Sequence, residues 1–378
     1  MGFVFFSAGE VSGDLSASEV IKILSNKGIK CVGIGGRNME RAGMINITNT
    51  DETLTSSVGF SESIKYILPK LRLLRFVVSY LKKNVPDVVV LVDNQGFNLQ
   101  LAKECKKLGI KTFYYFPPMV SVWGEGAKYK VAKYCDKIFC TFKRDYEIYK
   151  EVSDNAFYVG HPLVDRIKNN YSSKENYLKD FKKDTKKVLL LPGSRHQEIN
   201  KLLPVFLDSV NWLLRDGRGD KLEFYLVVAH PYFTDKVKNE VARRGLEGVI
   251  KVYLNNMDYA LYDVADVVVA SSGTTTLEMA IMGKPTIVTY IVSQLTYLVG
   301  RMLVKSRFIS LPNILVGEEV FPELLQGAVN PENIANHVMK FLYDPQVTDN
   351  VKDKLRELNL EGGAAIKVAT EIERTVEN

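Results

Sequence analysis

Asp93 is the residue of this chain best placed to take a proton. It ends the uninterrupted apolar run Val88-Val89-Val90-Leu91-Val92 and is followed by Asn94, Gln95, Phe97 and Asn98, with no cation beside it. Such a run reads as a buried parallel strand, and α/β proteins bind ligands beyond the carboxyl ends of these strands. A partly desolvated carboxylate there can accept a proton from an attacking hydroxyl. The alternative reading is an N-cap for the helix that follows.

Two segments in the second half offer anion chemistry. Val188–Leu191 is apolar and runs into Pro192-Gly193-Ser194-Arg195, with Glu198 three residues further on. Gly193 gives a tight turn, Ser194 a hydroxyl, and Arg195 a permanent cation that either grips phosphate in bidentate fashion or pairs with Glu198. The second segment is Ala270-Ser271-Ser272-Gly273-Thr274-Thr275-Thr276-Leu277-Glu278. Its amides and hydroxyls suit phosphoryl oxygens and Glu278 suits a ribose diol, unless the Ser and Thr residues act only as helix caps.

At the N-terminus, Gly9-Glu10-Val11-Ser12-Gly13-Asp14 follows a strand-like run. It lacks the GxGxxG spacing and no Walker lysine follows. Glu10 and Asp14 disfavour a bare phosphate, so the segment is either a plain strand-to-helix turn or a site for neutral hydroxyls and amides. His161, in Gly160-His161-Pro162, is read as structural or as a sugar contact, and His196 is given no role as a base.

These residues need a frame of alternating elements. Strands are expected at Phe3–Ser7, Cys31–Ile34, Val88–Val92, Lys111–Tyr115, Lys137–Cys140 and Ala156–Val159. Helices are expected at Leu15–Lys27, Ile64–Lys83, Leu99–Leu108 and Ala127–Tyr134. A second series begins at Val188, with helices at Glu198–Leu214, Tyr232–Arg244, Met257–Val264 and Thr274–Met282 between strands Glu223–Ala229, Ile250–Tyr253, Val267–Ala270 and Thr286–Thr289. This alternation predicts an α/β architecture of parallel sheets covered by helices. The polar stretch Lys168–Lys187 is the expected linker. The division expected is 1–167, 168–345, and a helical tail 346–378 that packs on the first domain or on a partner subunit.

The chain has 378 residues, 46% of them hydrophobic and 25% charged, which suits a globular protein of two domains. Its four cysteines form no CxxC pair, and its four histidines form no HExxH. Metal chemistry and a disulfide scaffold are therefore not expected. The net charge of +6 is uneven: Ile64–Lys83 holds Lys65, Lys70, Arg72, Arg75, Lys82 and Lys83 without an acid, and Tyr290–Phe308 holds Arg301, Lys305 and Arg307. Neither is apolar enough to span a bilayer. With no signal peptide expected, they suggest a cytoplasmic protein that visits an anionic membrane surface.

Together these motifs resemble the lipid A disaccharide synthases, inverting glycosyltransferases of the GT-B type. The resemblance rests on Ala8–Asp14, Gly33-Ile34-Gly35-Gly36 with Met39 and Gly43, Pro86-Asp87 leading to Asp93, Phe97 and Asn98, and Ser121-Val122-Trp123. It continues through Gly160-His161-Pro162, Leu190–Arg195, Ser272-Gly273-Thr274 with Leu277-Glu278, Ser310–Leu315, and Glu323–Gln326. It implies two Rossmann-like domains facing a central cleft, an acceptor domain followed by a UDP-sugar domain. The implied reaction moves a diacylated glucosamine from UDP to the 6-hydroxyl of diacylglucosamine 1-phosphate, at the cytoplasmic face of the inner membrane.

By motif, Asp93 matches the base and Arg195 a residue of the donor-phosphate site. Gly193, Ser194, Ser272, Gly273, Thr274, Glu278, Asn313 and Gln326 fall to donor UDP. Gly9, Glu10, Ser12, Gly13, Asp14, Asn98, Trp123 and His161 fall to acceptor or donor sugar. No cofactor, metal or nucleic acid is implied, and a homodimer is compatible. The chain departs from the family pattern at Asn94-Gln95-Gly96, Gly124-Glu125-Gly126, Phe116–Val120 and Ile291. Two other readings stay open: a transferase or epimerase for an unacylated UDP-sugar, and a non-catalytic protein that binds a sugar nucleotide or lipid.

Overall fold

A computed structural model describes residues 3–48, 67–215, 221–293 and 307–377, excluding the side chains of Ile67, Leu68 and Trp123. The described residues form two compact units: the chain up to Asp165 together with Leu360 onward, and the chain between Arg166 and Asn359.

The first unit holds seven strands: β1 (Phe3–Ala8), β2 (Lys30–Ile34), β3 (Ile45–Asn46), β4 (Val88–Val92), β5 (Thr112–Tyr115), β6 (Lys137–Cys140) and β7 (Ala156–Tyr158). They pair in the order β3-β2-β1-β4-β5-β6-β7, all parallel. All five residues of β4 are buried, as a central strand with helices on both faces requires. On one face Val4, Phe6 and Val90 pack with Ala17 and Val20 of the Val11–Asn26 helix. On the other, Phe5, Val89 and Leu91 pack with Val77 and Leu81 of the Ile67–Lys83 helix and with Leu101. The first helix face is completed by the end of the chain: Ala364, Val368 and Ile372 of the Ala364–Val376 helix join that core. Its approach is held by the Glu361 carbonyl, which accepts from the His161 amide at 2.7 Å, and by Asp165, which accepts from the Gly363 amide at 2.5 Å.

The second unit holds β8 (Lys186–Leu191), β9 (Leu222–Val228), β10 (Ile250–Leu254), β11 (Val267–Ser271), β12 (Thr286–Tyr290) and β13 (Glu323–Leu325). Their order is β10-β9-β8-β11-β12-β13, again all parallel. Both sheets reverse strand order beside their first strand, between β1 and β4 and between β8 and β11. These are the switch points where doubly wound sheets open to ligands.

Some boundaries differ from expectation for local reasons. The linker expected at Lys168–Lys187 begins inside the Pro162–Asn169 helix and contains a short helix, Glu175–Leu178. Within the expected tail, Pro345–Glu357 stays with the second unit, and only the chain from Leu360 joins the first. Met257 has φ of +62°, so the helix expected from that residue starts only at Tyr259. Strands β3 and β13 have no counterpart in the sequence pattern, because two or three residues carry no readable period. Residues 64–66 of the expected basic helix, and Arg301 and Lys305, lie outside the described residues.

One buried side chain ties the switch point of the first unit. Asn98 Oδ1 accepts from Ser7 Oγ at 2.7 Å, while its Nδ2 donates to the carbonyls of Asp93 at 2.8 Å, Val92 at 3.1 Å and Ser7 at 3.3 Å. Replacing it strands buried polar groups, each costing about 1–3 kcal/mol. Asn98→Ala should therefore lower the unfolding free energy by about 3 kcal/mol. Urea denaturation checks this, and a change within experimental error would show that the bonds are not needed.

Candidate active site

Register brings the first unit's motifs to one sheet edge. Ala8 stands opposite Val92, and Val92 opposite Tyr115, so Gly9, Asp93 and Phe116 leave the sheet side by side. Asp93 and Asn94 both adopt left-handed backbone, with φ of +52° and +46°. Asp and Asn tolerate this region better than most side chains, yet it needs external support. Support comes from the Tyr114 hydroxyl and Asn98 amide, which donate to the Asp93 carbonyl at 3.0 and 2.8 Å, while the Asp93 amide donates to Tyr115 O at 3.1 Å. Gly9 makes room for the turn, since a Cβ there would fall 2.0 Å from Asn94 Nδ2.

The Asp93 carboxyl is pushed up to about 6, first by burial and then by the charge of Glu10, against hydrogen bonds from the Asn94 amide and the Ser12 side chain. It does not cap the following helix: the residue before Gln95–Lys107 is Asn94, and no side chain caps that helix. A carboxylate with its pKa just below neutrality, at the carboxyl edge of a buried strand, is suited to accept a proton.

The remaining first-unit candidates divide by what their polar atoms already do. Asp14 is 1% exposed, and its carboxylate accepts from the amides of Gly36, Asn38 and Met39 and from Asn38 Nδ2 at 2.7–3.2 Å. It anchors the start of the Arg37–Arg41 helix with these bonds. Asn98 is 0% exposed, and its bond to the Asp93 carbonyl holds that residue in place. His161 is buried, with its ring against Phe116 and Phe142 and its Nδ1 accepting from the Leu163 amide at 3.2 Å. Glu10 is exposed and Ser12 half-buried, while Gly13 brings the Val11–Asn26 helix against Val92 and Asp93. The Trp123 side chain lies outside the described residues.

Gln95, Pro118, Met119 and the segment Gly124–Ala127 line a cavity of about 320 Å³. Three of the four departures from the family pattern therefore border one space. Asp145 shapes its wall by accepting from the Ser121 amide at 2.9 Å, and Tyr149 by donating to Pro118 O at 2.9 Å. The fourth departure, Ile291, packs against the second unit's core.

In the second unit, Leu191 pairs with Ala270, Ser271 with Thr289, and Tyr290 with Leu325. The loops at Gly193–Arg195, Ser272–Thr274 and Gln326 therefore share one edge. Glu198 folds back over Gly193: its Oε2 accepts from the amides of Ser194 at 3.0 Å and Arg195 at 3.3 Å, and its Oε1 from Arg195 Nη1 at 3.0 Å. The pairing alternative for Arg195 is thus realised, although the arginine remains half exposed at 48%. The Thr274–Ile281 helix differs. Gly273 precedes it and no side chain caps it, so the Ser and Thr residues do not serve as its N-cap.

Glu278 accepts from Tyr259 Oη at 2.9 Å, and burial raises its carboxyl against the Tyr259 bond and the Arg166 charge. Gln326, with φ of +52°, keeps a buried Nε2 that has no partner among the described residues, as does the Ser271 hydroxyl. The Asn313 side chain is fully buried and accepts from the Val320 and Phe321 amides while donating to Phe321 O and Glu323, so it braces a loop. Reasoning from sequence missed Tyr259 and Tyr290. The charges of Glu198 and Arg195 both reach the Tyr290 hydroxyl, whose pKa is raised chiefly by burial. Tyr290 ends β12, where strand alternation offered a signal, whereas Tyr259 opens the Tyr259–Asp263 helix and had none. Among the described residues no cluster of three or more His, Cys, Asp or Glu is gathered for a metal.

Comparisons place this geometry among known proteins. The profile described as lipid-A-disaccharide synthetase matches residues 4–372. A lipid-A-disaccharide synthase of Persephonella marina is 36% identical over 362 residues, covering 94% of this chain and 93% of the relative. One from Syntrophus aciditrophicus is 36% identical over 363 residues, with 94% and 92% covered. Among solved structures, the S. aureus MnaA–UDP co-structure superposes with a TM-score of 0.64 at 14% identity, covering 99% of this chain and 96% of that one. Acinetobacter baumannii MurG gives 0.59 at 13%, covering 99% and 100%. The fold is that of the GT-B glycosyltransferases and related epimerases.

A base must be ionised to work, and Asp93 ionises as pH rises through about 6. Turnover should climb through that pH to a plateau. Asp93→Asn should lower kcat by about 10²–10⁴-fold. The raised pKa also means that the charged form costs stability: the cost is fully present above about 6 and fades as pH falls from there to the ordinary value of 3.8. Asp93→Asn at pH 8 should therefore melt no earlier than the parent. A kcat within a few-fold of the parent would remove Asp93 from the chemistry.

Proposed function

We propose that this chain, which belongs to the lipid-A-disaccharide synthetase family, transfers 2,3-diacylglucosamine from its UDP derivative to 2,3-diacylglucosamine 1-phosphate. It is a glycosyltransferase, and its products are the β-1,6-linked lipid A disaccharide and UDP. Asp93 removes the proton of the acceptor 6-hydroxyl as that oxygen attacks the anomeric carbon. The bond from that carbon to the diphosphate breaks, its electron pair leaves with UDP, and configuration inverts. Arg195 and the uncapped amides after Gly273 offset the charge growing on the leaving diphosphate. Glu278 serves the ribose, and the free donor of Gln326 serves the nucleotide. The observation that carries the mechanism is the Asp93 carboxyl, raised to about 6 at the open end of β4.

The cavity beside Gln95 and Gly124–Gly126 is the place for the acceptor's sugar. Its glycines permit close approach, and Gln95 and Glu125 offer hydrogen bonds to hydroxyls and amides. Substrates with acyl tails must be collected from a membrane. Among the described residues no helix is long and apolar enough to cross one. The Ile67–Lys83 helix instead buries Val77 and Leu81 and exposes Leu71 and Phe76 among Arg72, Arg75 and Lys82. That face seats the enzyme peripherally on anionic lipid at the cytoplasmic side of the inner membrane.

Incubating the protein with both substrates should yield disaccharide by mass spectrometry; absence of product would refute the assignment. Arg195→Ala should weaken UDP binding by about ten-fold with little change in melting temperature, because Glu198 keeps its two amide partners. Calorimetry giving an unchanged Kd would take Arg195 out of the phosphate site. Near-surface cations each contribute about 1 kcal/mol of attraction to anionic membrane. Replacing Arg72, Arg75 and Lys82 by Gln should lower co-sedimentation with anionic vesicles, most at low salt. Full retention, with an unchanged circular dichroism spectrum, would rule this face out.

A further inference from the structure

The loop between β8 and the His196–Arg215 helix already contains an anion. Glu198 stands at the third position of that helix and is 9% exposed. Its carboxylate takes the Ser194 amide, the Arg195 amide and the Arg195 guanidinium, at 3.0, 3.3 and 3.0 Å. These are the donors a phosphate would need at this turn, because an anion at a helix start is held by free amides and a neighbouring cation. Gly193 has no Cβ, and its φ is +110°; a Cβ would lie 2.4 Å from Glu198 Oε2 and 2.7 Å from Glu198 Cβ. The glycine therefore serves the carboxylate as well as the turn.

From this arrangement we propose that Glu198 is a positioning residue that stands in for the donor's phosphate: it holds the loop in binding shape while empty and yields its donors when UDP arrives. The inference rests on the assignment of UDP to this loop. Two consequences follow from charge alone. The loop needs no rearrangement from a collapsed state, since the carboxylate keeps the amides and Arg195 converged. UDP must also displace a charge-assisted bond, so it is held less tightly than the same donors would hold it unopposed, and the product leaves more readily. A ligand without phosphates meets no such competitor.

Calorimetry of the full-length protein with UDP and with uridine separates these roles. Glu198→Gln keeps the side chain's shape and one acceptor but removes the competing charge. The variant should bind UDP about ten-fold more tightly, as expected for loss of one charge-assisted competitor, and should release it more slowly in stopped flow. Its affinity for uridine should not move. A helix cap alone would lower the melting temperature and leave the ratio of UDP to uridine affinity unchanged, and that result would overturn the proposal. Should Glu198→Gln fail to fold, Glu198→Asp keeps the charge but withdraws it by one methylene. It should then tighten UDP by a smaller factor, and no gain would overturn the proposal equally. If the unmodified protein binds no UDP, the donor-site assignment falls and the inference falls with it.

Discussion

Asn98 joins the ends of β1 and β4, and the rest of the first unit's site depends on that junction. Its amide reaches Ser7 on one strand and the carbonyls of Val92 and Asp93 on the other, in a place no water reaches. A doubly wound sheet separates at this point because successive crossovers go to opposite sides. The opening receives ligand, but it also leaves strand-end carbonyls without ladder partners. One buried amide satisfies several of them and holds Asp93 in a left-handed conformation it would not keep unaided.

The same economy recurs with carboxylates. Asp14 gathers three amides of the Gly36–Met39 segment, Glu198 gathers two of its own loop, and Glu323 accepts from the Ile309 and Ser310 amides and the Asn313 side chain. Each satisfies backbone donors that a tight turn or helix start leaves over. In both units, then, acids near the open edge divide by occupation. Those already bonded to backbone amides shape the loops. Asp93 accepts from the Asn94 amide and the Ser12 side chain, but burial and the charge of Glu10 outweigh these bonds and raise its pKa to about 6.

The departures from the family pattern concentrate where the scaffold is least constrained. The cavity beside Gln95 is bordered by Pro118, Met119 and the segment Gly124–Gly126, which connects elements and lies outside the strand cores. Loops of this kind vary without disturbing a sheet. Asp145 and Tyr149 brace the wall from the neighbouring Lys143–Lys150 helix, so it is shaped although irregular.

The sequence by itself determined the two parallel sheets, the strand ends and the loops beyond them. Continuous runs such as Val88–Val92 and Val188–Leu191 are stable only between helices, and a glycine turn after such a run marks the open edge. It also showed Arg195 and Glu198 within reach of each other, because three residues on a helix bring side chains together. Only the tertiary structure decided which polar atoms were left for a ligand. Asp14 and Asp93 look alike as acids near a strand end, yet one is consumed by amides 22–25 residues away. Asn313 reads as a polar group in a loop, and only the fold shows the Val320 and Phe321 amides bonded to it. Residue type and spacing report what a group can bond. The hydrogen-bond partners that exhaust it come from segments distant in sequence, and only folding brings them within hydrogen-bonding distance.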